Sequence, residues 1–318
     1  MSSHRVRVLF LTCHLPYPPI SGGRRREYEL LRRIGDDFDV HVYATTKTYD
    51  EDREHVAALQ EFCSQVQIFA KPDLRNAPTT YGGKRSLLVA ENASPDLTRA
   101  AGQLVERGGV DLIHAEGFYM AQHARSRRVP LLLVEQNLEY MLCRQRAELS
   151  PVSNKRRAVV EYLRTLRDET NAWRSADVVG AVTSEEANMI LEAAPDMDVR
   201  VLPDGFDHLV ESGIAPGPMH ITQPTVVFIA NFAYQPNVDA ALYLCHRVLP
   251  LIRARRPDVR VLLVGNAPPP AVSDLACDGV VVTGRVPDVS SYLSQAHLVI
   301  SPLRIGGGIK VKVLEALH

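Results

Sequence analysis

Residues 6–34 read VRVLFLTCHLPYPPISGGRRREYELLRRI. Val6 to Leu11 is a short apolar run of the kind that forms a strand buried on both faces. Pro16, Pro18 and Pro19 end it, Ser21-Gly22-Gly23 turns the chain, and Arg24 to Ile34 carries its apolar residues at helical spacing. Strand, glycine turn and helix in that order make the first unit of a parallel α/β sheet. The apolar run is too short, and too quickly followed by prolines, for a signal peptide.

The same alternation continues outward. Val40 to Ala44 precedes a helix from Glu51 to Phe62, and Val110 to His114 and Leu131 to Glu135 are further strands. A long helix is expected from Asn154 to Trp173, with Val159, Tyr162, Leu163, Leu166 and Trp173 as its apolar stripe. Val178 to Val182 and Val199 to Leu202 follow. Gly213, Pro216, Gly217, Pro218 and Pro224 then interrupt the rhythm, which suits a linker. A second series follows: Val226 to Ala230, a helix through Ala240 to Ala254, Val259 to Val264, Val280 to Thr283 and Leu298 to Ile300. The expected fold is α/β, two tandem doubly wound Rossmann-like domains over residues 1–207 and 225–318, joined by a linker at 208–224. Ligands of such sheets bind at the carboxyl ends of the strands. Ile309 to His318 reads as an uncapped helix after only four strands, so a C-terminally truncated chain with an incomplete second domain is expected.

Composition narrows the function. At 318 residues the chain exceeds what one hydrophobic core usually organises, and 46% hydrophobic with 23% charged residues excludes global disorder. Lys+Arg 36 against Asp+Glu 37 argues against a dedicated nucleic-acid binder. The five cysteines include no CxxC pair, so no zinc site or disulfide framework is expected and a cytoplasmic setting fits. No apolar run approaches the about 18 residues of a membrane span.

Two glycine clusters bear on chemistry. Gly22 and Gly23 open a helix, where free N–H groups and the helix dipole favour a phosphate; a plain tight turn before a solvated basic stretch is the competing explanation. Neither GxGxxG nor GxxxxGK[ST] is present. The second cluster is Ser301-Pro302-Leu303-Arg304-Ile305-Gly306-Gly307-Gly308-Ile309-Lys310-Val311-Lys312-Val313-Leu314-Glu315. It again follows a strand and opens a helix, and it brings Arg304, Lys310 and Lys312 near a phosphate position. Glu315 suits the hydroxyls of a ribose, or a solvated pair with Lys312.

Val8-Leu9-Phe10-Leu11 with Pro16-Tyr17-Pro18-Pro19 and Ser21-Gly22-Gly23, then Pro203-Asp204-Gly205-Phe206-Asp207, Tyr234-Gln235-Pro236-Asn237-Val238-Asp239-Ala240, Gly284-Arg285-Val286-Pro287-Asp288-Val289 and Pro302-Leu303-Arg304 through Glu315 together resemble glycosyltransferase family 4, retaining enzymes of GT-B fold. The resemblance implies a nucleotide-diphosphate sugar held mostly by the second domain and an acceptor held by the first. It places Glu315 on the donor ribose, and the partner carboxylate of the family pattern falls on Gly307. That carboxylate usually faces the transferred sugar, and the backbone amides of Gly306, Gly307, Gly308 and Ile309 would take over part of its contact. Asn231 and Asn237 stand where many relatives carry cations, leaving Arg304 and Lys310 to stabilise the departing diphosphate. Glu116, in the segment Asp111-Leu112-Ile113-His114-Ala115-Glu116-Gly117, stands where many relatives have a histidine near the sugar, and Glu135-Gln136-Asn137, with Glu135 and Asn137 as candidates, occupies the next strand end on the acceptor side. Helix capping or a polar network is the competing role for these three residues.

No cofactor beyond the nucleotide sugar and no metal is expected. Asp37-Phe38-Asp39, Asp50-Glu51-Asp52 and Asp196-Met197-Asp198 lie in turns or at helix starts and read as incidental. The resemblance leaves the acceptor open among a polysaccharide, a lipid-linked glycan and a small metabolite. The clusters Arg24 to Arg26, Arg125 to Arg128, Arg144 to Arg146 and Arg156-Arg157 offer peripheral contact with the inner face of a membrane, or are solvated helix charges. Two other functions fit the same residues: a non-catalytic sugar-nucleotide-binding or scaffold protein, given Gly307 and the end at His318, and a GT-B sugar-nucleotide epimerase.

Overall fold

The computed structural model describes residues 5–73, 84–124, 128–205, 223–287, 289–294, 296–307 and 313. The chain divides into two compact units, the first running to Asp204 and taking in Gly307, the second from Gly205 to Gly306. The expected linker at 208–224 lies, apart from residues 223 and 224, outside the described residues.

In the first unit the strands are β1 (Arg7–Thr12), β2 (Asp39–Thr46), β3 (Gln65–Ala70), β4 (Leu112–Glu116), β5 (Leu131–Glu135), β6 (Val178–Ala181) and β7 (Val199–Val201). They form one parallel sheet in the order β3-β2-β1-β4-β5-β6-β7. The continuous apolar run of β1 follows from this position. Leu9 and Leu11 pack with Ile113, Ala115 and Leu133 on one face, while Phe10 packs with Val40 and Val42 on the other. Because β1 pairs with both β2 and β4, the strand order reverses there, and the carboxyl ends of β1 and β4 flank the switch point where open α/β sheets take ligands.

Helix α1 (Gly22–Ile34) starts where expected, with the Ser21 side chain accepting the Arg24 N–H at 3.4 Å. It buries Glu27 and Leu31. Between α1 and the C-terminal part of the unit run α2 (Tyr49–Gln60), α3 (Leu87–Glu91), α4 (Pro95–Glu106) and α5 (Glu139–Leu149). The long helix α6 (Val152–Ser175) matches its expected extent, and Trp173 of the expected stripe is buried, but the rest of its inner face differs from that stripe. Val159 and Leu163 are exposed, whereas Thr165, Glu169 and Trp173 are buried. The cause is its partner. Glu169 Oε1 and Oε2 accept the N–H groups of Glu139 and Tyr140 at 2.9 and 2.7 Å, capping α5, so a carboxyl group faces inward while Val159 and Leu163 face out. Strand β3 and helices α4 and α7 (Ser184–Ala193) were not among the expected elements.

The second unit repeats the plan on a smaller scale. Strands β8 (Thr225–Ile229), β9 (Arg260–Val264), β10 (Val280–Gly284) and β11 (Leu298–Val299) are parallel in the order β10-β9-β8-β11, the arrangement of the first four strands of unit one. Its first helix, α8 (Gln235–Tyr243), begins ahead of the expected Ala240 and passes through a π-helical turn, Leu244–Val248, into Leu249–Arg253. Pro250 has no N–H to give to that ladder, which fits an irregular turn before it. Val226 and Phe228 face one core, and Val227 and Ile229 the other. After β9 the backbone passes so close to β8 that a Cβ on Gly265, at φ +150°, would stand 1.7 Å from the Ala230 carbonyl oxygen. The expected terminal helix lies, apart from Val313, outside the described residues. Among the described residues no helix is long and apolar enough to cross a membrane.

Candidate functional site

The switch point of the first sheet gathers a buried polar network. Glu116 is the last residue of β4, and its carboxylate is almost wholly enclosed. Arg26, from the second turn of α1, donates through Nη1 to Oε1 at 2.9 Å and Oε2 at 3.2 Å. His114 Nε2 lies 2.8 Å from Oε1, and Gln136 Nε2 donates to Oε2 at 3.0 Å. The same Gln136 amide donates to Glu27 Oε1 at 3.0 Å, and Thr12 Oγ1 at the end of β1 donates to Glu27 Oε2 at 2.6 Å. Arg26 Nε stands 2.6 Å from Asp204 Oδ1 as an ion pair in which the N–H is not aimed at the oxygen.

Charge follows from these contacts. Burial pushes the Glu116 carboxyl up, but Arg26, His114 and Gln136 outweigh it and hold the group at about 2, so it is an anion at neutral pH. Glu135, the last residue of β5, is equally enclosed, and it accepts Trp173 Nε1–H at 2.9 Å and the Phe118 N–H at 3.3 Å. Burial dominates there and pushes Glu135 up to about 8, so it keeps its proton. Two carboxyls at neighbouring strand ends therefore hold opposite protonation states, the condition in which one can act as an anion and the other as an acid.

The remaining sequence candidates fall in several places. Gly22 and Gly23 open α1, and a Cβ on Gly23 would come within 2.8 Å of Gln136 Oε1, so the glycine lets the helix start approach the network. Asn137 follows Gln136 and is half-buried. In the second unit Asn231 follows β8 and accepts the Ala233 N–H through Oδ1 at 3.1 Å, while the buried Asn237 donates through Nδ2 to the Asn231 carbonyl at 2.8 Å. Both side chains are thus engaged in shaping the turn after β8. Arg304 follows β11, donates through Nε to Asp239 Oδ2 at 3.0 Å, and stacks 4.8 Å from the Tyr243 ring centre, both on α8. It lies beside the switch point of the second sheet, between β8 and β11. Gly306 has φ +149°, and Gly307 is half-buried. Gly308, Ile309, Lys310, Lys312 and Glu315 lie outside the described residues.

Two readings change at the residue level. Arg26 is turned inward onto Glu116 and Asp204, and Arg24 stands 3.9 Å from Asp52 with most of its side chain covered, so neither is a solvated or lipid-facing charge. Asp52 itself is buried and accepts the hydroxyls of Thr46 and Thr48. Among the described residues no three His, Cys, Asp or Glu side chains gather as a metal would need.

Arg26, Glu27 and Asp204 were missed as site residues, whereas Gln136 belongs to the strand end expected on the acceptor side. The available signal was the spacing of Gly23, Glu27 and Leu31, which puts a carboxylate on the inner stripe of α1 in front of an apolar residue.

No curated protein matches the sequence. Solved structures match over nearly the whole chain. The sucrose-phosphate synthase of Thermosynechococcus elongatus is 16% identical with a TM-score of 0.66, covering 98% of this chain and 79% of its own. A glycosyltransferase from Rickettsia africae is 13% identical with a TM-score of 0.60, covering 98% and 77%. A putative UDP-N-acetylglucosamine 2-epimerase from Listeria monocytogenes is 11% identical with a TM-score of 0.54, covering 93% and 74%. These likenesses show the fold, two Rossmann-like α/β units in tandem, the GT-B class. Within that fold, residues 223–318 match the family model described as glycosyl transferases group 1.

Proposed function

We propose that the chain is a glycosyltransferase that moves a sugar from a nucleotide-diphosphate donor to a hydroxyl acceptor, a polysaccharide, lipid-linked glycan or small metabolite. The observation that carries the proposal is the match of residues 223–318 to group 1 glycosyl transferases. Arg304 beside the switch point of the second sheet supports it, because breaking the sugar–phosphate bond leaves negative charge on the diphosphate and a cation stabilises that charge. In this assignment Gly306 to Ile309 cradle the phosphates, Lys310 and Lys312 add charge, and Glu315 takes the ribose. Retention of configuration is carried over from the resemblance alone.

The acceptor is assigned to the first unit, beside Glu116, Glu135 and Asn137. A carboxylate held at about 2 is too weak a base to take a hydroxyl proton at neutral pH, so Glu116 is assigned to orienting an acceptor hydroxyl or a positive partner. No metal is assigned.

The test is a panel of nucleotide-diphosphate sugars screened by thermal shift, followed by mass spectrometry of products with mixed acceptors in EDTA. One donor is expected to raise the melting temperature and to release nucleoside diphosphate only when acceptor is present. Donor turned over to its epimer without acceptor would replace this reading with an epimerase, and binding without turnover would replace it with a binding protein.

A further inference from the structure

Five cysteines occur in the chain, and their surroundings differ sharply. Cys63 is buried and pushed up to about 12, and Cys143 is raised by burial. Cys245 is pushed up to about 11 by burial, and Cys277 is exposed. Cys13 is half-buried just past the end of β1, and its Sγ lies 3.3 Å from His14 Nδ1. The other ring nitrogen, Nε2, stands 3.2 Å from Oε1 of the enclosed Glu27 as an ion pair in which the N–H is not aimed at the oxygen. Glu27 is itself fixed by Thr12 and Gln136. A thiol, an imidazole and a carboxylate in series form the arrangement that makes a sulfur nucleophilic, with the carboxylate stabilising the imidazolium that balances the thiolate.

We propose that Cys13, in a Cys13–His14–Glu27 relay at the carboxyl end of β1, is a thiol-modification site that exchanges with low-molecular-weight disulfides. The charged and titratable neighbours agree with this. Burial alone would raise the thiol, yet His14 and, more weakly, Lys71 after β3 bring it below its ordinary value despite the opposing charge of Glu27. Burial alone would lower His14, yet Glu27 and Cys13 raise it to about 10. Tyr119, after β4, places its Oη 3.6 Å from Sγ and is raised well above its ordinary value, so it remains a neutral hydroxyl.

In the exchange the Cys13 thiolate attacks one sulfur of the disulfide, a new S–S bond forms and the old one breaks. The departing thiolate carries the bonding pair away and takes the proton held by His14. A mixed disulfide there removes the thiolate charge facing His14, whose other neighbour, Glu27, shares Gln136 with Glu116. The site thus couples the surrounding thiol–disulfide balance to the buried network, whether or not the chain transfers sugar.

The test uses the full chain with glutathione disulfide from pH 5.5 to 8.5, and mass mapping of each cysteine over time. Cys13 is expected to be glutathionylated at pH 6 at least about tenfold faster than the exposed Cys277, and its rate to stay nearly flat to pH 8. N-acetylcysteine, added as a free-thiol reference with a pKa of about 8.5, should instead gain about tenfold in rate per pH unit over the lower part of this range. His14→Gln should cost Cys13 at least about tenfold in rate at pH 6 and restore the ordinary climb. An unreactive Cys13, or one whose rate climbs in parallel with the free-thiol reference, overturns the proposal without any variant, so poor folding of His14→Gln leaves the test intact.

Discussion

Glu116 stays ionised inside the first unit because Arg26, His114 and Gln136 replace the water it has lost, and of these only Arg26 carries a permanent charge. Arg26→Met keeps most of the stem volume and removes that charge. Breaking a buried pair from one side costs about 3–5 kcal/mol, since the stranded carboxylate keeps its desolvation penalty. Urea unfolding of Arg26→Met should show a loss in that range, and Arg26→Met/Glu116→Leu should recover part of it. A single variant as stable as the parent would mean the pair contributes no such energy. Glu116 was legible in the sequence because it ends an apolar strand, the position of cleft residues in α/β sheets. Arg26 was not, because it lies 90 positions away in a run of three arginines that look alike until the helix face is known.

At the scale of an element, α6 shows where periodicity misleads. Its extent was legible from its apolar stripe, and so was buried Trp173, but the rest of its inner face was not. Pattern reading assigns aliphatic residues inward, and here a neighbouring helix needed its first N–H groups satisfied, so Glu169 took the inner position. Glu169→Ala should therefore destabilise the protein by about 0.5–2 kcal/mol, the scale of a lost helix cap. Leu163→Ala, on the stripe expected to be buried, should change stability by less than about 0.5 kcal/mol, as exposed positions do. Equilibrium unfolding of the two variants side by side checks this, and the reverse ranking would restore the aliphatic stripe as the inner face.

For the whole molecule, the tandem α/β plan was legible because buried parallel strands are continuous apolar runs whatever their order, while the order itself, with β1 between β2 and β4, is set by long-range pairing. The buried acids carry a consequence at this scale. Burial pushes Glu135 up to about 8 and Glu139 up to about 7, and raises Glu169 well above the ordinary value. An unfolded carboxyl loses its proton near about 4.3, so between that pH and about 8 the folded chain holds protons that the unfolded chain has released. Stability from these groups is fully present below the unfolded value and is lost as pH rises through 7 and 8. Glu116, held at about 2, acts in the opposite sense: its contribution is present above the unfolded value and is lost as pH falls toward 2. The Cys13–His14 pair adds little slope between about pH 6.5 and 8.5, because thiolate with imidazolium and thiol with neutral imidazole bind the same number of protons. The single tryptophan, Trp173, donates its indole N–H to Glu135 and so reports on the first unit. Melting followed by Trp173 fluorescence should be highest near about pH 5, fall by pH 8.5, and fall again below pH 4. Glu135→Gln keeps an acceptor for the indole and removes one titrating group, so it should flatten the alkaline side while leaving the acid side in place. A wild-type melting temperature that rises from pH 5.5 to pH 8.5 would show that these carboxyls are ionised in the folded chain.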